Sequence, residues 1–299
     1  MNVAIYDVDS KIPNLALMKI SKFHKQKGDS VEMYNPLWLD TYDKIYASTV
    51  FDFSDKSLLI PEKMEIGGTG YDTNRNLDQE IEDCKPDYTI YNYKHSIGFT
   101  MRGCRFVCKF CVVPQKEGRP KPNNTIDEIW TNRDSNFIVL LDNDFFGNQD
   151  WKKRIKEIRD YELKVNFSQG LNIRIITEEQ AKALASVNFS TISGKTKSVH
   201  FAWDRINDEK WIDKGIERCI KAGIKEYQMS FYVLIGFDSS PEEDYHRVMK
   251  LKNYGCDPYV MPYNKKDHYQ KSFARWVNHK AIFNSVKWED YKYSNKQEM

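Results

Sequence analysis

Gly103-Cys104-Arg105-Phe106-Val107-Cys108-Lys109-Phe110-Cys111 carries three cysteines separated by three and two residues. Three thiolates on one loop suit three irons of a 4Fe–4S cluster and leave the fourth iron open to a substrate or cofactor. A structural zinc site takes four ligands in a tetrahedron, commonly as two separated pairs. Here the second pair is missing, although His95 lies near enough in sequence to be a fourth ligand. Disulfides fit least. The 299-residue chain holds only six cysteines, three of them crowded into this loop.

The chain opens directly on an apolar strand, Val3-Ala4-Ile5-Tyr6, so no secretory signal and a reducing, cytoplasmic setting are expected. No apolar run approaches the roughly 20 residues of a membrane span, and no membrane partner is expected. Lys plus Arg is 45 and Asp plus Glu is 43, a net charge of +2. That balance argues against wholesale nucleic-acid binding but leaves room for a local RNA site. The basic stretches Arg119-Pro120-Lys121 and Lys265-Lys266 read as solvated loops. Forty per cent apolar residues suffice for a full core, and the length fits a small and a large α/β domain.

Upstream of the loop, strands are expected at residues 3–7, 31–34, 44–50 and 58–61. Leu15, Met18, Ile20 and Phe23 recur at helical spacing between the first two. Strands alternating with a helix predict a small doubly wound parallel sheet over residues 1–90. Gly67-Gly68-Thr69-Gly70 follows the strand-like Met64-Glu65-Ile66 and reads as a tight turn or a close approach to a ligand. No Gly-Lys-Ser/Thr follows it, so it is no P-loop. Residues 80–93 form a polar connector, and a second domain is expected over residues 91–299.

Downstream the rhythm is regular. Strands are expected at 96–101, 137–141, 164–167, 198–203, 228–235 and 258–261, with an amphipathic helix after each. Six βα units at about 30-residue spacing build a parallel sheet. Six are too few for a closed eightfold barrel, so an open partial (β/α)6 TIM-type barrel is predicted. In such barrels the chemistry sits at the C-terminal ends of the strands. The cysteine loop follows the first strand, and polar residues stand at the other ends: Asp142-Asn143-Asp144, Ser168-Gln169-Gly170, Asp204-Arg205, Gly236-Phe237-Asp238 and Tyr263-Asn264. Each is equally an ordinary loop start or local ion pair. Cys84, Cys219 and Cys256 form no pair motif, and Cys219 beside Ile216 and Ile220 reads as core packing.

The spacing of Cys104, Cys108 and Cys111, with the aromatic Phe110 before the third cysteine, resembles the signature of the radical S-adenosylmethionine (radical SAM) superfamily. The resemblance covers residues 95–285 in layout and implies a 4Fe–4S cluster on the three cysteines. It implies reductive cleavage of SAM to a 5′-deoxyadenosyl radical that takes hydrogen from a substrate. An electron donor of the flavodoxin or ferredoxin type is implied as partner. The superfamily's Gly-Gly-Glu motif is absent, so Asp142 and Asn143 become the candidate acceptors for the SAM amino group. Arg174 and Gln169 are candidates for its carboxylate, Asp204 for its ribose, and Ile235 and Gly236 for its adenine. Tyr263 would stack on a base or line the substrate cavity.

The first domain is similar to the cobalamin-binding-like domains that precede many such cores. Where those carry an Asp-x-His-x-x-Gly loop, this chain reads Asp7-Val8-Asp9-Ser10-Lys11. The expectation is therefore a domain that binds no cobalamin and shapes the substrate entrance. Phe110-Cys111-Val112-Val113-Pro114 and Gly118 also look like the corresponding loop of methylthiotransferases. Those enzymes carry three further cysteines in the first domain, where this chain offers only Cys84. Methylthiolation and cobalamin-dependent methylation are thus second readings, and a non-catalytic metal-binding or interaction module is a third. The substrate, whether small molecule, peptide or RNA, stays open.

Overall fold

Val3, Ala4 and Ile5 are all fully buried, so the first strand is apolar on both faces, as the interior of a parallel sheet requires. The computed structural model describes residues 1–291; residues 292–299, the end of the expected second domain, lie outside the described residues. The chain forms two compact units. The first comprises Met1–Gly98, Phe106–Arg119 and Asn132–Ser135; the second comprises Phe99–Arg105, Pro120–Thr131 and the chain from Asn136 onward.

In the first unit the elements run β1 (Asn2–Asp7), α1 (Leu15–Gln26), β2 (Ser30–Met33), β3 (Lys44–Ser48), β4 (Met64–Gly67), α2 (Gln79–Glu82), β5 (Ser96–Gly98) and α3 (Val113–Lys116). Strands β2-β1-β3-β4 form one all-parallel sheet, in registers such as Val3↔Val31, Ile5↔Tyr46 and Ala47↔Ile66. Asn14 starts α1 by accepting from the backbone N–H groups of Ala16 and Leu17. Leu17 and Ile20 of that helix, with Ile81, pack on the Val3 and Ile5 face. The opposite face, with Ala4, Ile45, Ala47 and Ile66, is covered by loop residues including Leu39, Tyr42, Leu59 and Ile60. The strand expected at 58–61 is a turn instead. Pro61 has no N–H to donate, Met64 N–H closes a turn onto the Ile60 carbonyl, and the fourth strand is β4.

In the second unit the order is β6 (Met101–Arg102), β7 (Lys121–Pro122), α4 (Ile126–Ile129), β8 (Phe137–Leu140), α5 (Trp151–Asp160), β9 (Lys164–Phe167), α6 (Glu178–Ala185), β10 (Asn188–Phe189), β11 (Val199–Ala202), α7 (Glu209–Lys221), β12 (Met229–Ile235), α8 (Pro241–Asn253), β13 (Asp257–Pro262), α9 (His268–Asn278) and α10 (Lys280–Ser285). Strands β6 and β7 pair antiparallel, while β10-β9-β8 and β11-β12-β13 are parallel neighbours. Among the described residues an isolated parallel bridge, Leu171↔Phe201, joins the two sets. The fourth strand of the series is thus in two pieces: β10 pairs with β9, and β11 resumes against Leu171. Helices between successive parallel strands make this an open partial barrel of the TIM type. The strand expected at 96–101 is likewise two short strands, β5 and β6, broken at Phe99-Thr100.

One large core fills the second unit. Val199, Phe201 and Trp203 of β11 and its end, Met229, Phe231, Val233 and Ile235 of β12, and Ile212 and Ile216 of α7 all belong to it. Each fully buried side chain of that size contributes about 1.5–3 kcal/mol relative to exposure. Helix α8 begins with a reciprocal cap, in which Ser240 and Glu243 satisfy each other's backbone N–H groups. Among the described residues no helix is long and apolar enough to cross a membrane.

Candidate active site

Side chains alternate across a strand, so the core-facing residues of the second unit define the opposite face as well. On β11 and its end the opposite face carries His200, Ala202 and Asp204; on β12 it carries Tyr232 and Leu234; on β13 it carries Tyr259 and Met261. His200 stacks on Tyr232 with ring centroids 5.0 Å apart and planes 13° from parallel, and Tyr232 meets Tyr259 edge-on at 6.0 Å. Tyr259 and Tyr263 stay about half exposed, at 47% and 54%. Burial pushes the His200 imidazole below its ordinary pKa, with the Asp257 charge pulling the other way.

The cysteine loop begins at Gly103, whose φ of +80° a side chain would strain. Cys104, Cys108 and Cys111 are each half-buried and in no disulfide. The Cys111 N–H donates to the Cys108 carbonyl at 3.0 Å, a turn that brings these two residues together. Phe110 is half-buried between them in sequence. His95 Nδ1 lies 2.8 Å from Ser135 Oγ. Among the described residues no three of His, Cys, Asp and Glu converge as a single ion would require. A 4Fe–4S cluster takes one thiolate per iron and sets no such demand, so the donor set suits it.

The candidates for SAM contact divide by strand face. Asp142 continues the core-facing row of Ile138 and Leu140 and is buried. Its Oδ1 accepts from Thr100 Oγ1 at 2.8 Å and from the Met101 N–H at 2.6 Å. Burial pushes its carboxyl up to about 6 despite those hydrogen bonds. Asn143, one residue on, is less buried and follows Leu141 on the other face. Gln169 is exposed. Arg174 pairs with Asp208 at 2.9 Å and donates from Nε to Asn172 Oδ1 at 3.2 Å. Asp204 lies on the His200 face; shielding pushes its carboxyl up to about 6, with Arg174 and Arg247 pulling it back. Ile235 points into the core, fully buried, while Gly236 at φ +74° sits so close to Gln270 that a Cβ would lie 2.1 Å from its Nε2.

Three features escape the sequence reading. Arg247 is fully buried, yet it donates to the Trp203 and Leu234 carbonyls, both at 2.8 Å, and to Asp244 at 2.6 Å. It ties together the ends of β11 and β12. Arg105 is gripped by Asp144, with Nε 2.6 Å from Oδ2 and Nη2 2.8 Å from Oδ1. The His200–Tyr232–Tyr259 row was legible in principle, since all three alternate with core residues along their strands. Cys219 and Cys256 are buried, and burial pushes both thiols up to about 12.

The fold has a counterpart among solved structures. A structure of the cobalamin-dependent S-adenosylmethionine radical enzyme OxsB with aqua-cobalamin bound superimposes with a TM-score of 0.54 at 12% identity. The match covers 94% of this chain and 56% of that one, so the chain spans little more than half the length of OxsB. At that identity the likeness concerns the fold alone. No curated protein sequence matches the chain. Residues 99–252 match the model of the radical SAM superfamily. Because that stretch is more than half of the chain and takes in the whole cysteine loop, the chain belongs to the radical SAM superfamily.

Proposed function

We propose that Cys104, Cys108 and Cys111 hold the cluster and that the strand ends of the second unit hold SAM and present the substrate. The observation that carries this is the loop itself: three half-buried cysteines in no disulfide, two of them joined by a turn, inside the stretch that matches the superfamily. Bound there, the cluster would pass one electron from a flavodoxin- or ferredoxin-type donor to SAM, giving methionine and a 5′-deoxyadenosyl radical for hydrogen abstraction.

The chain's own residues do the positioning. Asn143 is the acceptor for the SAM amino group, since Asp142 is turned into the core by Thr100 and Met101. Asp204, held beside the Arg247 tie, is the acceptor for ribose hydroxyls, and Gly236, with Gln270 packed against it, marks the strand end where adenine would lie. Arg174 would offer the SAM carboxylate a guanidinium already oriented by Asp208 and Asn172. His200, Tyr232 and Tyr259 form the surface against which the substrate lies, and burial favours the neutral imidazole.

The first unit is proposed as a scaffold without cobalamin. In open α/β sheets a ligand sits outside the C-terminal strand ends. In this unit those ends are filled by the chain's own residues. Asp9 accepts from Thr49 Oγ1, the Val50 and Phe51 N–H groups and Ser54 Oγ, at 2.6 to 2.9 Å. A Cβ on Gly68 would lie 2.1 Å from the Thr49 carbonyl oxygen, and one on Gly70 2.3 Å from that of Phe51. The glycine run is thus a close backbone contact.

Anaerobic reconstitution with iron and sulfide, reduction by dithionite and chromatography for 5′-deoxyadenosine test the reading. The full chain is expected to form the product, and a Cys104→Ala, Cys108→Ala, Cys111→Ala chain to form none. A wild-type protein with a complete cluster and no product would overturn it. Hydroxocobalamin titrated into the same protein should leave its visible spectrum unshifted; stoichiometric retention would overturn the scaffold role.

A further inference from the structure

The loop after β8 reaches back to the segment that runs into Cys104 at three points. Asp142 accepts from the Met101 N–H at 2.6 Å and from Thr100 Oγ1 at 2.8 Å. Asn148 Nδ2 donates to the Thr100 carbonyl at 3.2 Å. Asp144 takes Arg105 three ways: Nε at 2.6 Å, Nη2 at 2.8 Å and the backbone N–H at 3.2 Å. Cys104 therefore lies between a tether at residue 101 and a tether at residue 105.

The grip on Arg105 is built, not incidental. Asp144 is only 3% exposed, so its charge has to be met inside the protein. Arg105 meets it in the two-pronged geometry that a guanidinium and a carboxylate share. Gly147 completes the arrangement. A Cβ there would come within 2.4 Å of Asp144 Oδ2 and 2.9 Å of Arg105 Nε, so no side chain fits beside the pair. Asp144 also fixes the peptide N–H of the residue next to Cys104, which a surface ion pair between two side chains would not do.

We propose that Asp144 is a positioning residue for the iron–sulfur cluster: by clamping Arg105 it fixes the backbone of Cys104 and so the direction of the first thiolate. This rests on the radical SAM reading of the loop. Partners that orient a metal ligand from outside the coordination sphere commonly govern how tightly the metal is held. In this chain that task falls to the loop in which the superfamily keeps its SAM amino-group motif, so cluster and SAM are held from one short stretch, residues 142–148.

The test compares wild type, Asp144→Asn, Arg105→Gln and the double variant, each a full chain reconstituted anaerobically. Iron release to a chelator is followed by absorbance, and the reduced cluster by electron paramagnetic resonance. Each single variant is expected to release iron about 10–100-fold faster, the range for lost outer partners of a metal ligand. Each should also shift the resonance of the reduced cluster. The double variant should be no worse than the worse single one, because both remove the same clamp. Arg105→Lys, which keeps the charge and loses the fork, should fall between wild type and Arg105→Gln. A full cluster in every variant, with unchanged release and resonance, would overturn the clamp alone. A wild-type chain that takes up no cluster would overturn the reading beneath it and the clamp with it. Thermal unfolding of the apoproteins separates lost folding from lost positioning, and faster release only in variants whose apoprotein is unfolded would also overturn the clamp.

Discussion

At the ends of β1 and β3 in the first unit, Asp9 and Thr49 bind one another, and Gly68 and Gly70 press against the backbone of Thr49 and Phe51. At the ends of β11 and β12 in the second unit, Arg247 ties the two strands from the core side, and Asp204 keeps a shielded carboxyl on the opposite face. Both are parallel sheets with polar residues at the same topological place. Strand-end chemistry depends on whether the loops fold back over the sheet or are anchored behind it. In the first unit the polar groups serve the chain's own turns; in the second the anchoring lies in the core, and the other face is the one proposed above to take SAM and substrate.

The contrast breaks most sharply at Arg247. Removing one partner of a fully buried, paired charge typically costs about 3–5 kcal/mol, so Arg247→Ala should destabilise the second unit by that amount in chemical denaturation. A loss below about 1 kcal/mol would mean that the strand ends need no anchor from the core side. Next comes Gly68→Ala, which meets both a backbone oxygen at 2.1 Å and a φ of +94°. A cost of about 2–4 kcal/mol is expected from clash and strain together. Hydrogen exchange should locate it in the first unit, with iron content unchanged.

The smallest effect sharpens the comparison through pH. The Asp142 carboxyl is raised from 3.8 to about 6 by burial, so its contribution to stability is complete below pH 3.8 and is lost as pH rises through about 6. Asp142→Asn keeps an acceptor for Met101 and removes the titration. Its unfolding free energy relative to wild type should climb between pH 4 and pH 6 and level off above, a gain of about 1–3 kcal/mol followed by chemical denaturation. A flat difference across that window would show that Asp142 does not titrate there.

Much of this was legible in the sequence. Phe137-Ile138-Val139-Leu140 and Met229 to Ile235 are mostly apolar runs of strand length, rich in β-branched and aromatic residues, and the cysteine spacing identifies the loop. Alternation also held a signal that went unused: Asp142 shares its face with Ile138 and Leu140, so an inward carboxyl was implied, and Asn143 outward. By the same rule Ile235 belongs with Val233 in the core, not against adenine. Other features left no trace in spacing. Arg105 and Asp144 are 39 residues apart, and neither type nor neighbours mark them as partners. The two-residue β10 is too short for any periodicity, and Leu59-Ile60 is apolar because it covers a sheet face from a turn.

The burial of Cys219 and Cys256 gives the protein an internal standard for chemical labelling. Alkylating reagents attack accessible thiolates, and two core thiols with pKa values near 12 stay silent to them at neutral pH. Reagent counts would then report Cys84 as a constant background and the three loop cysteines as the variable. Protection of those three when iron is present, and its loss when iron is stripped, would read cluster occupancy residue by residue by mass.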